Sequence, residues 1–187
     1  AAKSAPDGYN YLVVYDSHAT NPSMQKHLPF DTVKDFAPVM LIALSPMVLV
    51  VNPASPYRKL SDLIAAAKSK PGELVLGSGG NGSKGHLAME LLAGKAGFKY
   101  TQVPYKGSAQ LMIDLLAGRI TMQIGSVFLV SPYVKDQRLR PVAVTATGRV
   151  TQMPEVPTVA EQGFPGYEVQ TWWGIVAPAG APKPILQ

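Results

Sequence analysis

The chain has 187 residues and no cysteine. That excludes disulfide bridges, cysteine-ligated zinc and a thiol nucleophile. Histidine is scarce, with three in all, and the His-Glu-x-x-His spacing of a helical zinc site does not occur. No stretch approaches the ~20 consecutive apolar residues that a membrane-spanning helix requires; runs such as "MVLVV" have strand length. No signal-peptide pattern is visible. Basic residues exceed acidic ones, 17 to 12, but the excess is dispersed and not interleaved with aromatics. A nucleic-acid interface is therefore not expected, whereas a mildly positive field suits a small anion. No paired carboxylates and no Ser-His-Asp order stand out, which favours binding over catalysis.

What is present is a foldable α/β pattern. At 47% hydrophobic and 16% charged, the chain can bury a real core and is not disordered. "YNYLVVYD" reads as a strand, "DSHATNPS" as a loop, and "VMLIAL" and "MVLVVN" as two strands parted by Ser45-Pro46. "NPASPY" reads as a Pro-punctuated linker and a candidate boundary. "LSDLIAAAKSK" is expected to be a helix, with Leu60, Leu63, Ile64 and Ala67 at helical spacing. A strand–helix alternation follows. "ELVLG", "YTQVPY", "RITMQIG" and "RPVAVTA" are the strands. "SKGHLAMELLAGKAG" is a helix facing inward through Leu87, Leu91 and Leu92. "SAQLMIDLLAG" is a helix facing inward through Leu111, Leu115 and Leu116, and "VFLVSPYVKDQ" is a third. Short connections between alternating elements predict a parallel sheet with right-handed crossovers. "PTVAEQG" reads as a short helix and "YEVQTWWGIVAP" as a long strand.

The segment "LGSGGNGSKGHL" carries the clearest chemistry. Gly77, Gly79 and Gly82 match G-x-G-x-x-G between a strand and a helix. A dinucleotide site also needs an acidic residue about 20 positions on, and "YTQVPYKG" has none there. A phosphate loop needs Lys followed by Ser or Thr, and Ser83-Lys84 has the opposite order. What remains is a tight turn at a helix N-terminus with bare amides and the polar side chains of Ser78, Asn81 and Ser83. Such a turn holds an anion such as a carboxylate, or serves only as a turn. Ser83 is the expected N-cap. His86 and Glu90 stand one helical turn apart, but a His lining the loop is preferred to a metal ligand, and no metal or cofactor is expected. In an open α/β sheet, ligands gather at the carboxyl ends of strands. Tyr105, Lys106, Gly125 and Ser126 fall on that same edge.

Several segments taken together resemble one family. "APDGYNYLVV", "NPSMQKHLPFDTVKDFAPVMLIA", "VVNPASPYRKLSDLIAAAKSKPGEL", "GSGGNGSKGHLAMELL", "VPYKGSAQLMIDLLAGRI", "MPEVPTVAEQGFPGYEV" and "WWGIVAPAGAPKPI" follow the order seen in the Bug family. These are the solute-binding receptors of tripartite tricarboxylate transporters. The resemblance implies a type II-like periplasmic-binding-protein fold of two lobes, each a mainly parallel sheet flanked by helices. Residues 1–52 would form part of lobe 1, 53–169 lobe 2, and 170–187 a crossing strand returning to lobe 1. Lobe 1 would be incomplete, because family members carry a segment before "APDGY" and more helices after "APKPI". Crossing strands would pass near Val51 and Gly174.

By resemblance, Ser78, Gly79, Asn81, Gly82 and Ser83 would hold a carboxylate, and Ser17, His18 and Ala19 would line the cleft from lobe 1. His86, Tyr105, Lys106, Gly125 and Ser126 complete the candidate site. Many members have an acidic residue where this chain has Gly125-Ser126, so the expected ligand is a carboxylate without an amine. The implied protein is a periplasmic monomer that captures a small mono- or dicarboxylate, partners membrane transporter subunits and catalyses nothing. The alternative is an α/β enzyme binding a phosphate-bearing substrate at residues 77–83. A third reading is a scaffold domain without a ligand.

Overall fold

A computed structural model describes residues 1–186. In chain order the elements are β1 (Leu12–Tyr15), α1 (Asp16–Met24), β2 (Phe36–Val51), α2 (Leu60–Ser69), β3 (Val75–Ser78), α3 (Lys84–Ala96), β4 (Thr101–Pro104), α4 (Ser108–Leu116), β5 (Met122–Ser126), α5 (Val127–Lys135), β6 (Arg140–Val144) and β7 (Gln170–Pro178). A 3-10 turn follows at Lys183–Ile185. The chain divides into two compact units, one of Ala1–Leu44 with the C-terminal segment from Thr171, the other of Ser45–Gln170.

In the first unit, β1 pairs antiparallel with β7, Val14 facing Gly174 across the ladder. Its core is small: Val14, Phe36 and Val176, with Phe30 and Trp172 packed against them. The expected loop "DSHATNPS" is instead helix α1, with Pro22 inside it. No apolar period announces this helix, and tertiary contacts hold it. The Thr171 hydroxyl donates to the buried Asp16 carboxylate at 2.7 Å, and the His18 ring meets the Phe36 ring edge-on at 5.1 Å.

The second unit carries the main core. β3 pairs in parallel with β4 and with β5. β2 runs antiparallel to β5 and to β6. The sheet is therefore mixed: β3, β4, β5 and β6 share one direction and β2 opposes them. β2 buries both faces from Met47 to Val51. Leu49 and Val51 join a cluster with Leu60, Leu63, Leu76, Met89 and Leu92. Val48 and Val50 join one with Leu111, Leu115, Val127 and Val130. Alternation along one strand thus feeds the helix layers on both sides, α2 and α3 on one face, α4 and α5 on the other.

Several expectations are corrected here. "VMLIAL" and "MVLVVN" form one unbroken strand of 16 residues. Pro46, which lacks an N–H, stands just before Met47, where pairing with β5 begins, so the β5 ladder loses no bond to it. The compact units meet along the chain between Leu44 and Ser45. "NPASPY" is not a linker between the units. The Arg140 guanidinium donates to the carbonyls of Pro53, Ser55 and Tyr57, which binds this turn to β6. Along α3 the buried face is Ala88, Met89, Leu92 and Ala93, and Leu91 is 42% exposed. "PTVAEQG" is a single turn, not a helix. Thr158 and Glu161 exchange reciprocal N-terminal bonds there, and Gly163 at φ +102° stops propagation. Gln162 from this turn accepts the Leu60 N–H at 3.0 Å and so caps α2.

Two glycines of α3 give opposite predictions. A Cβ on Gly85 would stand 2.5 Å from the Ile124 carbonyl oxygen, whereas one on Gly94 would meet nothing within 4 Å. Gly85→Ala is expected to destabilise by about 1–3 kcal/mol through overpacking. Gly94→Ala is expected to stabilise by roughly 0.5–1 kcal/mol through the unfolded state. Equilibrium urea unfolding of the two variants checks both signs.

Candidate functional site

The glycine-rich turn joins β3 to α3, and its glycines serve different ends. A Cβ on Gly77 would collide with the Ile120 side chain at 2.3 Å, so this position lets β3 pack beneath the α4 layer. Gly80 and Gly82 hold φ +112° and +74°, which L side chains rarely adopt. Gly79 is exposed, and a Cβ there would make only ordinary contact with Ser83 at 3.8 Å. The G-x-G-x-x-G spacing is therefore met without the fingerprint's division of labour.

The turn is held by its own polar groups. Ser78 is 2% exposed. Its Oγ accepts from Gln102 Nε2 at 2.7 Å and from the Gly80 N–H at 3.3 Å. The Gly82 N–H donates to His86 Nδ1 at 3.1 Å, which leaves the ring proton on Nε2, 3.6 Å from Glu90. His86 is thus bonded to the loop, and no group of three or more potential metal ligands occurs among the described residues.

Ser83 occupies the N-cap position, but its side chain makes no capping bond. Its Oγ is buried without a partner. The N–H groups of Lys84, Gly85 and His86 lie in the first turn of α3 and have no intrahelical acceptor. They point out of the helix start together with its partial positive charge.

The remaining candidates of this unit gather on the same strand edge. The Tyr105 N–H donates to the Ser78 carbonyl at 2.8 Å, which ties the turn after β4 to the glycine turn. The close passage of Gly85 over Ile124 brings the start of α3 beside Gly125. Ser126 Oγ accepts the Leu129 N–H and caps α5. Two candidates turn elsewhere. The Tyr105 hydroxyl donates to Asp114 at 2.8 Å, and Lys106 is exposed, with no ion pair among the described residues. Asn81 is exposed at the turn's tip. Ser17, His18 and Ala19 belong to α1 in the first unit; His18 Nε2 lies 3.3 Å from the Thr32 carbonyl.

One residue escaped the sequence reading. Gln123 on β5 is 5% exposed, and its Oε1 is buried without a partner. The available signal was a lone polar residue inside the apolar alternation of "ITMQIG".

The model of the tripartite tricarboxylate transporter family receptor, TctC, matches residues 1–187. The chain belongs to this receptor family. It is 35% identical over 187 residues to Protein BugT of Bordetella pertussis, covering 99% of this chain and 57% of BugT. A Rhodopseudomonas palustris structure described as Rpa4515 with adipate is 38% identical with a TM-score of 0.93, over 99% of this chain and 62% of that one. MatC from the same organism, described with bound malate, is 28% identical with a TM-score of 0.88, over 99% and 63%. The chain thus spans just over half of BugT and under two thirds of these solved chains. The Bug resemblance and the α/β solute-binding-protein fold both hold, and the matching family is one of transporter receptors.

Asp114, which draws the Tyr105 hydroxyl away from this edge, yields a pH prediction. Hydrogen bonds from Tyr105 and then Arg119 and Gln110 hold its carboxyl below the ordinary value of 3.8. A depressed carboxyl contributes stability that is full above that value and is lost as pH falls through the folded pKa. Asp114→Asn is therefore expected to lower the urea midpoint at pH 7, and the gap to the parent should narrow as pH falls below 3.8.

Proposed function

We propose that this chain forms the carboxylate-gripping part of a periplasmic solute-binding receptor, which captures a small organic acid and hands it to membrane transporter subunits without catalysis. The observation that carries the reading is the start of α3. Three N–H groups without intrahelical acceptors lie beside an unpartnered Ser83 hydroxyl, on a loop in which Gly80 and Gly82 hold positive φ. Neutral donors at a helix N-terminus bind a carboxylate without a formal cation, each charge-assisted bond contributing on the order of 1.5–3 kcal/mol. The relatives with adipate and malate support the same ligand class.

On this reading Gly79, Asn81, Gly82 and Ser83 meet the carboxylate, and Ser78 and His86 hold the turn in shape. Gly125 and Ser126 leave the neighbouring strand end neutral. Ser17, His18 and Ala19 are proposed as further ligand contacts, and the two compact units as the two lobes of a monomeric receptor. The enzyme reading gains no support, since the relatives matched are receptors and the turn lacks both nucleotide signatures.

A thermal-shift panel of mono- and dicarboxylates, nucleotides and sugar phosphates tests the reading. A cognate acid at 100 times its Kd is expected to add about 2.7 kcal/mol of stability. Stabilisation by nucleotides alone contradicts it. Gly82→Val, which forces a β-branched side chain into φ +74°, is expected to abolish binding; a folded variant that binds like the parent removes the turn from the grip.

A further inference from the structure

The first turn of α3 lacks half of a capping box. In that motif the N-cap side chain bonds the N–H three residues on, and the side chain there reaches back to the N-cap N–H. Ser83 makes no such bond. The return half is present but shifted by one residue, because His86 Nδ1 accepts the Gly82 N–H at 3.1 Å. A ring thus folds the turn back on the helix, and the Ser83 hydroxyl keeps no partner. The bond needs a bare lone pair on Nδ1, so the ring carries its proton on Nε2. Nε2 faces Glu90 Oε1 at 3.6 Å, one helical turn along. That separation exceeds a hydrogen bond, but a carboxylate there still favours a proton on the nitrogen that faces it. The same Oε1 accepts the Tyr100 hydroxyl. Tyr100 immediately precedes β4 and packs against the core cluster to which α3 belongs. Burial, and then Glu90, hold its hydroxyl above the ordinary value of 10.0, so it remains the donor. The half-exposed carboxylate is therefore fixed by a group outside its own helix.

We propose that Glu90 and Tyr100 are positioning residues, which act through His86 to fix the imidazole tautomer that holds the glycine turn in its anion-gripping shape. The proposal rests on the carboxylate-receptor reading above and adds the residues that set the geometry of its grip. A proton on Nδ1 would meet the Gly82 N–H donor to donor, and it would turn a bare Nε2 lone pair towards the Glu90 carboxylate. Both contacts therefore select the same tautomer. The turn's own backbone closure, from the Ser83 N–H to the Gly80 carbonyl, is 3.2 Å. That is the long end of the usual range, which leaves the ring's bond a share in holding the turn.

A double-mutant cycle tests this. The parent, Glu90→Ala, His86→Leu and the double variant are titrated calorimetrically with the mono- and dicarboxylate panel above, adipate and malate included. The direct field of the Glu90 charge on an anion is common to both backgrounds and cancels from the comparison. Glu90→Ala is expected to weaken binding roughly threefold more in the parent than in His86→Leu. The 15N shifts of the His86 ring give a readout that needs no ligand and serves if His86→Leu does not fold. The parent should show the Nε2–H tautomer. In Glu90→Ala and in Tyr100→Phe the two ring signals should move towards each other as the tautomers mix. An equal effect of Glu90→Ala in both backgrounds, or ring signals in Glu90→Ala that match the parent's, overturns the proposal and leaves the receptor reading standing. A parent that binds no acid of the panel contradicts the receptor reading and takes this proposal with it.

Discussion

At Gly85 the first turn of α3 lies so close to β5 that a side-chain carbon there would stand 2.5 Å from the Ile124 carbonyl oxygen. The rest of the candidate site depends on that approach. It seats the helix start on the strand edge, level with the ends of β3 and β5, and brings its free N–H groups beside Gly125. Packing beneath holds it there: Ala88, Met89 and Leu92 from α3 share one cluster with Leu49, Leu76, Met122 and Ile124. The Tyr167 hydroxyl donates to the Ala88 carbonyl from inside the core at 2.7 Å.

The electrostatics of the edge follow from which groups are already engaged. Ser78, Gln102 and His86 bond to the turn or to one another, Ser126 caps α5, and the Tyr105 hydroxyl is held by Asp114. The Ser83 hydroxyl and the amides of the helix start remain without partners, and both are neutral. An anion at such a place is stabilised by fixed dipoles, without the desolvation cost of burying a cation to meet it.

Much of this was legible from the chain. Helices α2 and α4 carry clean apolar periods, and β3 to β6 are bounded by Gly and Pro. The glycine turn's place between β3 and α3 and the family resemblance were both in reach. What was not legible lay in tertiary contacts. Helix α1 has no apolar stripe and depends on Asp16 meeting Thr171 across 155 positions. Pro46 read as a break because sequence does not show where a strand changes partners. Leu91 looked inward by composition, while Ala88 and Met89 are the residues that face the sheet. Ser83 was recognised as the N-cap, but not that its hydroxyl would go unused.

The central claim is that the N-terminal turn of α3 grips a carboxylate through its backbone amides. Titration of the 15N-labelled protein with a dicarboxylate, followed by amide resonances, tests this most directly. The account predicts that the largest saturable shifts fall on the N–H groups of Lys84, Gly85 and His86. Saturable binding that leaves those three unmoved while amides elsewhere shift would contradict it.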